Sequence, residues 1–211
     1  MKIKLFLIIL VIFCATGCVN LQTLSYDDAL NTLTYPKKSP NTHRVGYQYY
    51  LPQGLAIEKA EDSYSIITSN DITYYLYVDL ISYINNTNIT YNVDNSKEYS
   101  KKINYNDKFG YIEVNLVKND KYLIEIMYNY AKIEVMVENR LVNKAIINAI
   151  SILNSVEYDD LVINNLISED LLNYNEEVFD LFNKEDVLND NLDNIEDDSV
   201  NDQLTDTDFL N

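Results

Sequence analysis

Residues 131–156 read AKIEVMVENRLVNKAIINAISILNSV, and their hydrophobic pattern changes period halfway along the stretch. In the first eight residues, apolar side chains alternate with polar ones, which is typical of a half-buried antiparallel strand. After Asn139 the apolar residues recur at helical spacing, on a stripe made of Val142, Ala145, Ile146, Ala149, Ile150 and Leu153. Asn143 and Asn148 lie on the opposite side. The stretch therefore predicts a strand and then an amphipathic helix, capped by Asn139, that lies on a sheet.

Further strand patterns precede this stretch. They cover residues 47–51, 55–59, 64–68, 72–84, 99–118 and 122–127. Turn signals such as Pro52-Gln53-Gly54 and Asn119-Asp120 separate them, and Gly110 is expected to interrupt its strand only weakly. Antiparallel strands followed by a helix predict an α+β fold, in which a mostly antiparallel sheet packs against an amphipathic C-terminal helix.

The N-terminal residues have the layout of an export signal. Lys2 and Lys4 precede an apolar run of about ten residues that ends at Cys14, which is shorter than the about 20 residues that span a bilayer. The next residues, Ala15-Thr16-Gly17-Cys18, resemble the lipobox of bacterial lipoproteins. This resemblance implies that a diacylglyceryl group is attached to the thiol of Cys18 and that the chain is cut before it. We therefore expect a lipid-anchored protein on the extracytoplasmic face of the cell membrane.

Charge and cysteine content limit what the mature chain can do. Cleavage removes Lys2 and Lys4 from the 16 basic residues, which leaves 14 against 33 acidic ones and a formal charge of −19. Such a surface repels nucleic acids and anionic lipid headgroups, so neither is expected to bind. Cys14 leaves with the signal and Cys18 carries the lipid. The folded part then has no disulfide, no thiol nucleophile and no thiolate metal site.

The predicted organisation has four parts. They are a signal peptide over 1–17, a tether with a short helix over 18–45, an α+β domain over 46–183 and an acidic tail over 184–211. Ser25 is expected to cap the short helix, and a loop follows it up to about Val45. Two further short helices are predicted over 159–167 and 170–182. The tail holds ten acidic residues and one lysine, and we expect it to be disordered.

No motif predicts catalysis or a cofactor. The single histidine, His43, lies beside Arg44 in a predicted loop with no partner in view. The four glycines are too scattered for a phosphate-binding loop or a serine nucleophile turn. Adjacent carboxylates such as Asp159 and Asp160 would point about 100° apart on a helix, which is a poor geometry for a shared metal ion. We therefore expect no catalytic residue, no cofactor, no metal site and no enzymatic activity.

Nineteen tyrosines are the most conspicuous feature of the composition. Tyr75, Tyr77 and Tyr83, together with Tyr47 and Tyr49, could share the sheet face opposite the main helix. Tyrosine offers flat apolar area with a polar tip, which suits contact with a peptide, a glycan or a protein. Two interpretations stay open. The tyrosine face is either an exposed contact surface or, as the simpler expectation, covered by the helices predicted over 159–182.

The segment Tyr49-Tyr50-Leu51-Pro52-Gln53-Gly54-Leu55 resembles the opening strand of Mog1/PsbP-like domains, a family that includes small lipoproteins. The resemblance extends over about residues 46–156 and implies a role as an adaptor or assembly factor without catalytic residues. We therefore expect a non-enzymatic module that contacts another envelope protein or assists envelope assembly. The alternative is a small ligand-binding lipoprotein of an uptake system.

Overall fold

The strand and the helix predicted within residues 131–156 are both present in the computed structural model, which describes residues 21–168. The helix, however, is not capped by Asn139. That residue begins a short 3-10 turn, Asn139–Leu141, and the helix follows Leu141 with no capping hydrogen bond from a side chain. The predicted signal, Cys18, the helix over 170–182 and the acidic tail lie outside the described residues.

The described part of the chain contains ten strands and four α-helices. The strands are β1 (Thr42–Arg44), β2 (Tyr47–Tyr49), β3 (Ala56–Ala60), β4 (Tyr64–Thr68), β5 (Thr73–Val78), β6 (Tyr99–Tyr105), β7 (Lys108–Lys118), β8 (Lys121–Tyr128), β9 (Ala131–Glu138) and β10 (Glu157–Tyr158). The helices are α1 (Tyr26–Leu30), α2 (Leu80–Ile84), α3 (Val142–Ser155) and α4 (Asp160–Ser168).

The strands form two antiparallel sheets. The larger has seven strands in the order β3-β4-β5-β9-β8-β7-β6, and the smaller has the order β1-β2-β10. Hairpins connect β3 to β5 and β6 to β9 in sequence, whereas the chain between β5 and β6 crosses to the far edge of the large sheet. This architecture confirms the predicted α+β class, with a mostly antiparallel sheet and a C-terminal helix.

The core lies between α3 and one face of the large sheet, which we call the inner face. Because side chains alternate along each strand, every second residue of β5, β7, β8 and β9 lies on this inner face. The fully buried ones include Leu76, Ile112, Ile124, Ile126, Ile133 and Val135. Ala29 and Leu30 of α1 and Leu33 after it join the same core. The packed domain therefore begins before residue 46, within the segment predicted as a tether.

The hydrophobic pattern assigns Asn143 and Asn148 to the solvent side of α3, but both side chains form hydrogen bonds within the protein. Asn143 is buried, and its side-chain amide donates hydrogen bonds of 2.8 Å to the backbone oxygens of Leu21 and Leu24. Asn148 donates to the hydroxyl of Tyr74 at 2.9 Å. Both contacts pair groups that would otherwise lose their hydrogen bonds to water on burial.

The strand predicted over 72–84 is wrong in its second half. β5 ends at Val78, and residues 80–84 form α2, whose first turn is capped by Asp79 through a 2.8 Å bond from the backbone N–H of Ser82. Leu80 and Ile84 are four residues apart, a spacing that fits both a strand face and a helix face. The loop predicted up to Val45 also contains a strand, β1.

Gly110 is more constrained than its sequence context suggests. A Cβ atom added there would lie 2.2 Å from the carbonyl oxygen of Met127 on β8. We expect Gly110→Ala to lower the free energy of unfolding by more than about 2 kcal/mol, because the two strands must separate locally. Urea denaturation measures the loss. Gly54→Ala is the control: its φ of +85° costs about 1 kcal/mol, with no atom within 4 Å of the new Cβ. Equal losses in the two variants would contradict this explanation.

Candidate functional site

The five tyrosines proposed to share one sheet face do not do so. Tyr75 and Tyr77 lie half-buried on the outer face of β5, whereas Tyr83 lies on α2. Tyr47 and Tyr49 belong to the small sheet and are 2% and 0% exposed. The predicted common surface is therefore wrong, because it assumed a single sheet and one long strand through residue 84.

Tyr83 instead belongs to an aromatic cluster beside α4. Its ring stacks on that of Tyr158, with centroids 3.7 Å apart and planes 15° apart, and it meets Tyr130 edge-on. Its hydroxyl donates to Asp160 at 2.9 Å. Burial raises the pKa of Tyr158 well above its ordinary value, and the hydroxyl of Tyr158 donates to the backbone oxygen of Asn129 at 2.6 Å. These rings fix α2, α4 and the β8–β9 turn together.

The outer face of the large sheet is chemically mixed. Glu134 lies directly opposite Tyr75 and pairs with Lys132 at 2.9 Å. On β7, the ring of Tyr111 stacks on Tyr91 from the segment between α2 and β6, with centroids 4.3 Å apart. That segment therefore covers part of the outer face. The expectation that helices over 159–182 cover the tyrosines concerns mainly residues outside the described part and stays a prediction.

A cavity of about 490 Å³ lies between the β1–β2 hairpin and the segment that joins β10 to α4. We call it the hairpin cavity; residues 43–48 and 157–162 line it. The hairpin turns at Val45-Gly46, where Gly46 has a φ of +83° that favours glycine. The carbonyl oxygen of Gly46 accepts a 2.9 Å bond from the backbone N–H of Asp159. An added Cβ at Gly46 would lie 3.0 Å from Ile163, so the hairpin and α4 pack closely behind the cavity.

The carboxylates that line the hairpin cavity each have a structural partner. Glu157 accepts from Lys37 and from Gln48, both at 2.8 Å, and the bond from Lys37 is the main reason that its pKa lies below the ordinary value. Asp159 caps the first turn of α4, and Asp160 accepts from Tyr83. Within residues 21–168, no group of three His, Cys, Asp or Glu side chains is arranged to hold a metal ion.

The wall of the hairpin cavity adjoins a buried polar cluster. Tyr47, Tyr49 and Ser65 are buried, and their hydroxyls have no partner at hydrogen-bond geometry; the same is true of Nε of Arg44. Burial raises the pKa of Tyr47 to about 12, while the nearby Arg44 guanidinium opposes the shift. Arg44 is held by a 2.7 Å bond to the backbone oxygen of Glu61. Arg44 and Tyr47 both line the cavity, and most of the other lining side chains are polar, among them Gln48, Glu157 and Asp159.

The rim of the hairpin cavity carries exposed apolar side chains. Val45 at the hairpin turn is 47% exposed and Leu161 at the start of α4 is 79% exposed. They come from segments more than a hundred residues apart, which the small sheet brings together. His43 lies on β1 opposite Gln48, exposed to solvent. Sequence reasoning placed His43 and Arg44 in a loop and missed the cavity.

A second pocket, of about 240 Å³, contains Lys37, Tyr105, Lys108, Tyr128 and Asn154 among its lining residues, and we call it the lysine pocket. Lys108 is half-buried, and Lys37 is bound to Glu157, whose other contact, Gln48, lines the hairpin cavity. Tyr128 is buried, and its hydroxyl donates to the backbone oxygen of Tyr105 at 2.8 Å. The ion pair between Lys37 and Glu157 therefore joins a residue that lines the lysine pocket to one that lines the hairpin cavity.

Comparison with known proteins does not assign a function to either pocket. Among the described helices, none is both long enough and apolar enough to cross a membrane. No protein-family model matches the chain, and no curated protein matches it.

Proposed function

We propose that this chain is a lipid-anchored protein of the extracytoplasmic membrane face that acts without catalysis, by binding another envelope protein at the hairpin cavity. The signal-like N-terminus and the lipobox-like segment that ends at Cys18 support the location. The resemblance of residues 49–55 to Mog1/PsbP-like domains supports an adaptor or assembly role.

The exposed apolar rim of the hairpin cavity is the observation that carries the binding role. Single exposed apolar residues are ordinary on a protein surface. Val45 and Leu161, however, flank a concave site whose wall carries Arg44 and Tyr47. Removal of these two apolar side chains from water would favour the binding of a partner. The partner chemistry that fits is an apolar side chain seated between the rim residues.

The hairpin cavity also supports the alternative of a small ligand-binding lipoprotein. Its volume of about 490 Å³ falls in the range that small-molecule sites occupy. A ligand there would lie beside Arg44, and the rim would shield it from water. The two functions differ in what remains bound after purification, a protein or a small molecule.

Substitution of the rim tests the proposed function. We expect Val45→Ser with Leu161→Ser to reduce crosslinking to a membrane partner at least about tenfold, because each lost apolar contact weakens binding by about 1.5 kcal/mol or more. Leu116→Ser is the matched control, since Leu116 is 50% exposed on β7, outside the cavity lining. Quantitative crosslinking in intact cells, normalised to protein level, gives the measurement. Undiminished crosslinking in the double variant, or an equal loss with Leu116→Ser, contradicts the proposal. A co-purifying small molecule without a crosslinked protein favours the alternative.

A further inference from the structure

The β6–β7 hairpin fixes the position of Lys108 in the lysine pocket. Lys108 is the first residue of β7 and lies opposite Tyr105 in the β6–β7 hairpin. The two residues between them, Asn106 and Asp107, have φ values of +49° and +58°. Two positive φ values are what a two-residue hairpin turn of type I′ requires, and Asn and Asp adopt them readily. The turn therefore holds Lys108 at one end of the large sheet, where Lys37 approaches from the segment after α1.

The charges in the lysine pocket are unbalanced. Lys37 is 2.8 Å from Glu157, but the ammonium group of Lys108 has no hydrogen bond or ion pair in the part of the chain that the structure describes. Burial lowers the pKa of Lys108, the nearby charge of Lys37 lowers it further, and Glu157 acts in the opposite direction. Two ammonium groups thus lie near a single carboxylate, and that carboxylate is bound to Lys37. A local positive excess is unusual in a chain with 33 acidic residues against 16 basic ones.

We propose that the lysine pocket binds a phosphate group, held between the ammonium groups of Lys108 and Lys37. Lysine is a common phosphate ligand, because its ammonium group is a compact charge with three rotatable N–H donors. The residues that line this pocket include two lysines and no arginine. A volume of about 240 Å³ holds a phosphate together with a few water molecules.

Bound phosphate would also remove an energetic cost of the unliganded protein. A half-buried ammonium group without a counter-ion loses hydration and is repelled by its like-charged neighbour. A phosphate carrying up to two negative charges supplies the missing counter-charge. The phosphate group has two sources, a soluble phosphate compound or a phospholipid headgroup. The strongly acidic surface disfavours close approach to an anionic bilayer, which favours the soluble source.

Calorimetric titration of the detergent-solubilised full-length protein with inorganic phosphate at low ionic strength tests the proposal. We expect saturable binding that Lys108→Gln weakens at least about tenfold, as for loss of a charge-assisted contact. Lys102→Gln removes the same charge from an exposed position of β6 outside the lining of this pocket and is expected to leave the affinity within about twofold, since surface charges contribute little. An unchanged thermal midpoint of each variant shows that it is folded.

Two results would overturn the proposal: the absence of saturable phosphate binding by the unaltered protein, or equal affinity in Lys108→Gln. Phosphatidic acid added in mixed micelles then identifies the source. Displacement of inorganic phosphate by this lipid, but not by phosphatidylcholine, supports the proposal with a lipid headgroup as ligand. Retention of inorganic phosphate against both lipids supports it with a soluble phosphate compound.

Discussion

Ile146→Asp is expected to abolish folding. Ile146 is fully buried on the side of α3 that faces the large sheet. The substitution removes apolar packing and places an ionisable group among apolar side chains with no counter-charge. Such changes cost more than about 4 kcal/mol, which is a large part of the 5–15 kcal/mol that stabilises a typical domain. Near-ultraviolet circular dichroism should lose its tyrosine signal, and urea unfolding should lose its cooperative transition.

The matched control for this substitution is Lys144→Asp, two residues earlier on the same helix. Lys144 is exposed, so the same new side chain meets water there and should change stability by only about 0.5 kcal/mol. Asn148 would be a poor control, because it donates to the hydroxyl of buried Tyr74. If Ile146→Asp and Lys144→Asp unfold at the same urea concentration, the assignment of the buried face of α3 is wrong.

Periodicity alone could predict the large sheet and α3, because each buries one face against the other. In β9, Ile133 and Val135 are fully buried at the expected positions, and the alternation ends where the helical stripe begins. Periodicity failed after Val78, where Leu80 and Ile84 satisfy a strand and a helix equally well. The deciding signal there was Asp79, whose side chain caps α2. A capping residue inside an apparent strand is local information that favours the helix.

Contacts between distant segments could not be predicted from the sequence. The helical pattern places Asn143 on the solvent side of α3. In the structure its side-chain amide donates to the backbone oxygens of Leu21 and Leu24, which are more than a hundred residues away in the sequence. β1 has three residues and becomes a strand only by pairing with β2. Such a short segment has too little pattern to predict, since its hydrogen bonds come from a partner rather than from its own periodicity.

The two candidate sites also depend on contacts between distant segments, which the sequence does not predict. The hairpin cavity needs β10 to pair with β2, which joins Glu157 to Gln48 across 109 residues. The lysine pocket needs Lys37 and Lys108 to meet although neither belongs to a recognisable motif. The sequence did single out Tyr83, but as part of a sheet surface. Its actual role, to stack on Tyr158 and to donate to Asp160, depends on α2 and α4 lying side by side.

Location is the remaining part of the proposed function, and Cys18→Ala should change it completely. The lipobox-like segment predicts that two acyl chains are carried on Cys18. Each buried methylene contributes about 0.8 kcal/mol, and two chains are needed for stable anchoring, whereas one chain binds only marginally. With cells fed a labelled palmitate analogue, we expect the unaltered protein to take up label and to enter the detergent phase on phase separation.

Cys18→Ala should take up no label, because no thiol remains at the attachment position. It should either enter the aqueous phase or keep its N-terminal 17 residues, which mass spectrometry distinguishes from the processed chain. Cys14→Ala is the control, since Cys14 lies inside the apolar run and its loss leaves Ala15-Thr16-Gly17-Cys18 intact. It should be labelled and partition as the unaltered protein does. Label on Cys18→Ala, or its loss from Cys14→Ala, would show that the lipid is not on Cys18 and would remove the main support for an extracytoplasmic location.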